Sequence, residues 1–111
     1  MPFLTINTNA DNKDKHLAED ASVLVAETLG KPVDYVVVTI RAGQDMAFGG
    51  SFENKGALIE MKSIGFADKA GLARKLTDLV VSRLDTEARF VNIEFVDLAA
   101  SDVAISGNLL G

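Results

Sequence analysis

HLAEDASVLVAETL at residues 16–29 and GLARKLTDLVVSRL at residues 71–84 decide the fold of this 111-residue chain. Residue 16 aligns with residue 71, and the same offset of 55 aligns two further pairs of segments. PFLTINT, from Pro2, falls on ALIEMKS, from Ala57; YVVVTI, from Tyr35, falls on FVNIEF, from Phe90. Few residues are identical, but the apolar pattern recurs in register, which marks an internal repeat. Each half reads strand, helix, strand, so the chain is expected to form one domain over 1–111 with pseudo-repeats at 2–41 and 57–96.

The first segment carries Leu17, Ala21, Leu24, Val25 and Thr28 at the spacing of one buried helical face. Gly30 followed by Pro32 supplies a stop. The second repeats the stripe with Leu72, Leu76, Leu79, Val80 and Leu84, and Asp68 stands where an N-cap belongs. A helix between two β-rich runs is a βαβ unit. Alternation along the strands assigns their faces. Leu4, Ile6, Ile59 and Met61 share parity, as do Val36, Val38, Ile40, Val91, Ile93 and Phe95, and these should lie under the helices. The other face mixes Thr5, Asn7, Thr39, Glu60, Lys62, Asn92 and Glu94 with Phe3, Tyr35 and Val37. The expected architecture is α/β (α+β): a four-stranded mixed sheet with two helices on one face. Its second face is too polar for a dry core and too apolar in places for plain exposure, so other subunits should partly cover it.

AGQDMAFGGSFENKG, residues 42–56, joins the halves as a glycine-rich loop. Its GGS lacks the spacing and the Lys-Ser/Thr pair of a phosphate-cradling loop and reads as a turn. The tail, 99–111, contains Val103, Ala104, Ile105, Leu109 and Leu110 and is apolar enough to dock.

Composition removes several classes of function. A net charge of −5 argues against nucleic acid or an anionic membrane as partner. With no cysteine, disulfides, thiolate metal sites and cysteine nucleophiles are excluded. His16 is the only histidine, it falls near a helix start, and no dense carboxylate cluster accompanies it. Apolar runs such as YVVV are too short to cross a bilayer, and no basic stretch precedes an apolar core at the N-terminus. The default compartment is cytoplasmic, with non-classical secretion left open.

Pro2 stands directly before the first strand, a position that suits a residue without an N–H. If Met1 is removed, its nitrogen becomes a free secondary amine. An α-amino group ordinarily titrates at about 7.7–8.0, and burial lowers that, so such a proline could be a neutral base at physiological pH.

MPF at the N-terminus, the TINTN that follows, GKP at 30–32, MAFGGS at 46–51 and SIG at 63–65 together resemble the macrophage migration inhibitory factor family of the tautomerase superfamily. The resemblance spans essentially the whole chain. It implies a homotrimer in which three sheets surround a channel, with helices outside and pockets between adjacent subunits. It also implies a cofactor-free keto–enol tautomerase acting on a small α-keto acid of the phenylpyruvate type, with dopachrome-like isomerisation as a relative of that reaction. On this resemblance Pro2 is the general base. Lys31 binds the substrate carboxylate and lowers the amine pKa by like-charge repulsion. The Ile64 backbone N–H contacts the substrate, Ser63 sits beside it, and Tyr35 edges the pocket. Val103, Ile105 and Leu110 belong to the tail that shapes it.

Departures from the family are specific. Where members often carry a tyrosine and an asparagine on the strand lent by a neighbouring subunit, this chain has Asn92 and Glu94. Asn92 still offers a hydrogen bond but no ring, and Glu94 adds negative charge that an anionic substrate should resist. In place of the Cys-x-x-Cys pair of mammalian members stand Gly56 and Ile59, which removes thiol chemistry. The pocket mouth reads aliphatic, with Ile105 and Leu110. Two alternatives belong to other classes: a cytokine-like signalling protein with a vestigial pocket, and a related decarboxylase or dehalogenase. The latter usually relies on additional pocket arginines; of Arg41, Arg74, Arg83 and Arg89, only Arg41 and Arg89 fall near strand ends.

Overall fold

A computed structural model describes all residues, 1–111. Strand β1 (Phe3–Thr8) leads to helix α1 (Leu17–Leu29) and strand β2 (Val37–Arg41). The second half repeats this with β3 (Ala57–Ser63), α2 (Lys69–Arg83) and β4 (Val91–Asp97). Sheet order is β2-β1-β3-β4. β1 and β2 run parallel, as do β3 and β4, while β1 and β3 meet antiparallel at the centre. The two βαβ halves therefore join edge to edge into one mixed sheet.

Both helices form where the apolar stripes placed them. α1 ends on Gly30 in the left-handed conformation (φ 64°), which lets the Lys31 N–H reach back to the Ala26 carbonyl at 2.9 Å. At the start of α2 the Asp68 carboxylate accepts the Gly71 N–H at 2.9 Å, as its N-cap position required. A Cβ at Gly71 would stand 2.1 Å from that carboxylate, so any larger residue there would require the Asp68 side chain to shift. Leu17, Ala21 and Val25 of α1 and Leu72, Leu76 and Val80 of α2 are completely buried against Leu4, Ile6, Ile59 and Met61. Leu24 and Thr28 are only half-buried; Ala26 and Leu29 complete the α1 face instead.

The opposite face stays open, and register resolves it into rows. Arg41, Asn7, Leu58 and Asn92 form one row, Thr39, Thr5, Glu60 and Glu94 the next, and Val37, Phe3, Lys62 and Val96 the third. Val37 is 52% exposed and Leu58 39%, so apolar side chains interrupt the polar surface as expected.

Two strand readings need correction at their first residues. Tyr35 closes a 3-10 turn (Val33–Tyr35) and Phe90 another (Ala88–Phe90); neither belongs to the strand that follows. Extended Pro32 starts the first turn, whose Tyr35 N–H bonds the Pro32 carbonyl at 3.3 Å. Tyr35 thus lies beside the sheet rather than on its open face. The tail does not dock on the core of its own chain. It forms a 3-10 turn (Ala100–Asp102) and a hairpin of β5 (Ala104–Ile105) and β6 (Asn108–Leu109). Val103 is buried there, while Ile105, Leu109 and Leu110 remain exposed.

The connection at 42–56 is held by Asn9. Its buried amide nitrogen is shared among the carbonyls of Met46, Phe52 and Asn54 at 3.1, 3.3 and 2.9 Å, and its oxygen accepts the Gly56 N–H at 3.2 Å. Gly49 and Gly50, both at positive φ, make the two-residue turn between Phe48 and Ser51. The GGS is thus a turn.

Two predictions follow from this framework. Asn9→Ala strands several buried backbone groups at once and should lower unfolding free energy by roughly 2–3 kcal/mol in urea titration; a loss under about 0.5 kcal/mol would show that the connection holds without the amide. Arg83 of α2 ties down the loop before α1 through Asp14 and α1 itself through Asp20. The Arg83 guanidinium holds the Asp14 carboxyl down to about 2, from an ordinary 3.8. A depressed carboxylate stabilises the fold above its unfolded pKa and loses that contribution as pH falls through the folded value. Asp14→Asn should therefore lower Tm at neutral pH, with the gap to wild type closing between about pH 4 and pH 2.

Candidate functional site

Pro2 precedes β1 and is fully buried. Its carbonyl accepts the Val37 N–H at 3.0 Å, which fixes the residue against the start of β2. On its other side lies the end of β3. There Ser63 opens a turn held by the end of β4: the Leu98 N–H bonds the Ser63 carbonyl at 2.8 Å, and the Gly65 N–H bonds the Asp97 carboxylate at 3.0 Å. Gly65 takes a positive φ of 79° in this turn. No acceptor of the chain takes the Ile64 N–H.

Lys31 arrives from the helix side. Its backbone is set by the α1 cap, and its Nζ donates to the Ile64 carbonyl at 2.5 Å. A cation is thereby parked over the turn beside the N-terminus. The chain's α-amino group, here on Met1, is lowered from its ordinary 8.0, first by burial and then by the nearby Lys31 cation. Pro2, Lys31 and the Ser63–Ile64 pair thus converge from three separate stretches of sequence. Tyr35 stands two residues before Val37 and is 45% exposed at the rim.

Other expected residues do not join this cluster within one chain. Asn92 is exposed on the open face, five β4 positions from Asp97, the partner of Ser63 in register. At about 3.3 Å per residue that is roughly 16 Å away. Its amide bonds only the Phe90 carbonyl, at 3.3 Å. Glu94 is exposed in the middle of the same face, directly across from Glu60. Val103 and Ile105 follow the end of β4, the former buried and the latter 37% exposed.

Neither of two concavities of the single chain encloses Pro2. The larger, about 810 Å³, lies at the opposite end of β1 among Asn9, Lys13, Gln44, Phe52, Lys55 and Arg83. A smaller one, about 480 Å³, includes Lys31, Pro32 and Val33 but not Pro2. A pocket that closes only between subunits would not register as a cavity in one of them. No group of three or more His, Asp or Glu side chains is placed to hold a metal ion, and no helix is long and apolar enough to cross a membrane.

Sequence reasoning missed Asp97, whose carboxylate shapes the Ser63–Gly65 turn. Its only sequence signal is an acidic residue ending a strand, too common to single out.

The family model for macrophage migration inhibitory factor matches residues 1–111. A homologue of that factor from Brugia malayi is 39% identical, covering all of both chains. The Xenopus laevis factor is 30% identical over 97% of each. Among solved structures, the factor from Trichinella spiralis superposes with a TM-score of 0.89 at 31% identity, covering 96% of this chain and 98% of that one. The homologue from Prochlorococcus marinus gives 0.92 at 25% identity, covering 98% and 99%.

Proposed function

Because the chain belongs to the macrophage migration inhibitory factor family, we propose that it is a cofactor-independent keto–enol tautomerase of small α-keto acids, phenylpyruvate among them, that works as a homotrimer. One observation carries the reading: the α-amino end of the chain is lowered by burial and by Lys31 at the point where Lys31 and Ile64 converge.

The mechanism requires loss of Met1, which turns the Pro2 nitrogen from an amide into an amine. Pro2 is buried in the intact chain, and the desolvation its ring keeps after Met1 is lost favours the neutral base. That amine removes the proton from the carbon beside the substrate ketone. Lys31 leaves the Ile64 carbonyl and pairs with the substrate carboxylate, a charge-assisted contact stronger than the one it gives up. The Ile64 N–H supports the oxygen that gains charge. The ring nitrogen, now protonated, returns its proton to oxygen or carbon. An amine whose pKa lies near the working pH serves both directions.

Completion of the pocket falls to a neighbouring subunit. Asn92 lies too far from Pro2 in its own chain, and the open face exposes Val37 and Leu58. Packing such faces around a channel would cover these side chains and bring one chain's Asn92 toward another's Pro2, with Tyr35, Val103 and Ile105 at the rim. Sedimentation at micromolar concentration should show a trimer; a stable monomer would overturn the shared pocket.

Kinetics on phenylpyruvate test the residue roles, after intact mass has verified loss of Met1. Pro2→Ala should lower kcat/KM by roughly 10²-fold or more, the scale of a removed general base. Undiminished activity would assign the base elsewhere. Lys31→Ala should weaken substrate binding by about 1.5–3 kcal/mol. It should also move the acid limb of the pH profile upward, because losing a cation raises the amine pKa. Glu94→Gln should move the limb downward if a neighbour's Glu94 faces the pocket.

A further inference from the structure

Ser63 holds the one buried side-chain polar atom of the fold without a hydrogen-bond partner. Its residue is completely buried. Buried hydroxyls are almost always paired, and leaving one unpaired is costly. The backbone and side-chain groups of the adjacent turn each hold a bond to another residue rather than to this hydroxyl. The Ser63 carbonyl takes Leu98, the Asp97 carboxylate takes Gly65, Lys31 takes the Ile64 carbonyl, and the Pro2 carbonyl takes Val37.

Register supplies the missing partner. β1 and β3 pair antiparallel through Leu4 with Met61 and Phe3 with Lys62. One position outward along that register, Pro2 stands opposite Ser63. Alternation puts both on the helix side with Leu4 and Met61, and both are buried. Because the Pro2 carbonyl faces β2, the pair is of the non-hydrogen-bonded kind, whose Cα atoms stand about 4.5 Å apart with their side chains close together, so the Ser63 side chain lies alongside Pro2. In the intact chain the Pro2 nitrogen is a tertiary amide with no hydrogen to give. Hydrolysis of the Met1–Pro2 bond by an aminopeptidase changes this. The hydroxyl of water goes to the methionine carbonyl and its proton to the proline nitrogen, which becomes a donor.

We propose that Ser63 is a positioning residue for the N-terminal amine: its hydroxyl oxygen accepts the Pro2 N–H created by removal of Met1. A neutral secondary amine has one hydrogen and one lone pair. Holding the hydrogen on the Ser63 side directs the lone pair away from the sheet, where a substrate carbon can approach. The contact strengthens when the amine is protonated, since a charged donor bonds more strongly than a neutral one. Ser63 thus raises the amine pKa, against Lys31, which lowers it. Other charged or titratable groups at this end of the sheet are Tyr35 before β2, Lys62 on β3 and Asp97 ending β4. This rests on the tautomerase reading for its consequence in catalysis, but not for the contact.

The test labels proline with ¹⁵N. There are two prolines, Pro2 and Pro32, and only Pro2 carries a titrating nitrogen after processing. The ¹⁵N shift is followed against pH in processed wild type, Ser63→Ala and Ser63→Thr, alongside the pH profile for phenylpyruvate. Ser63→Ala should lower the Pro2 pKa by about half a unit to one unit, move the acid limb down equally and reduce kcat by about 3- to 10-fold. Ser63→Thr should restore the titration. In a preparation retaining Met1, Ser63→Ala should leave Tm unchanged or higher, because an unpaired hydroxyl is lost there; in processed protein it should lower Tm. A Pro2 titration in Ser63→Ala within about 0.2 unit of wild type overturns the proposal, even if KM rises, because the hydroxyl then serves the substrate. Inactive wild type with a Ser63-dependent titration would sustain the contact and remove the tautomerase reading. Active enzyme with an indifferent titration would do the reverse.

Discussion

The antiparallel register between β1 and β3 is the constraint on which the rest depends. Six pairs, from Phe3 with Lys62 to Thr8 with Ala57, join two parallel βαβ units whose helices also pack against each other. A slip of one residue would turn Leu4 and Ile6 onto the open face and bring Phe3 and Thr5 under the helices. The buried apolar set on both strands forbids this. The same register carries the N-terminus to the end of β3, so the pairing that builds the core also sets Pro2 against the Ser63 turn. Stability and site geometry have one origin here.

Two parallel crossovers place both helices on one face and leave the other uncovered. That second face shows where a lone chain is incomplete. Glu60 and Glu94 stand directly across from each other, an arrangement that costs energy in a sheet unless solvent or a cation relieves it. Rows above and below carry Phe3, Val37 and Leu58, which gain from leaving water. The proposed trimer, with a wet channel bounded by subunit contacts, would accommodate both: carboxylates solvated in the middle and apolar side chains covered at the flanks. The exposed tail hairpin, with Ile105, Leu109 and Leu110 outward, offers further apolar surface for the same purpose.

How far the structure was legible in the sequence depended on the range of the signal. Helices and strand faces are periodic, and Leu17–Ala21–Val25 and Leu72–Leu76–Val80 announced themselves through spacing alone. Asp68 was readable because capping is local. Tyr35 was misplaced because its Val-rich continuation looks like strand, whereas Pro32 imposes a turn whose hydrogen bond closes on Tyr35 itself. The tail hairpin had a local cue, Ser106–Gly107, where both residues adopt positive φ. Convergence of Lys31 with Ile64 spans 33 positions and follows only from the helix cap and sheet order combined. No property of Ser63 or Asp97 taken singly distinguishes them; both acquire meaning from their place in the register.

A terminal proline suits this corner for reasons that reach beyond its basicity. Its ring fixes φ and adds no flexible side chain to be ordered, so the nitrogen is placed by the strand itself. Lysine or histidine in the same position would bring a longer lever and more rotamers to restrain. The α-amino group also starts from a lower pKa than a lysine ammonium, about 8 against about 10.4, so less desolvation is needed to make it neutral. In the proposed enzyme, burial of Pro2 would contribute to that shift, and the Lys31 cation held at the Ile64 carbonyl would add to it while no substrate is bound. When a carboxylate takes Lys31, it partly neutralises that cation and allows the amine pKa to rise. Under the proposed mechanism the base would thus become stronger at the moment a substrate is in place to give up its proton.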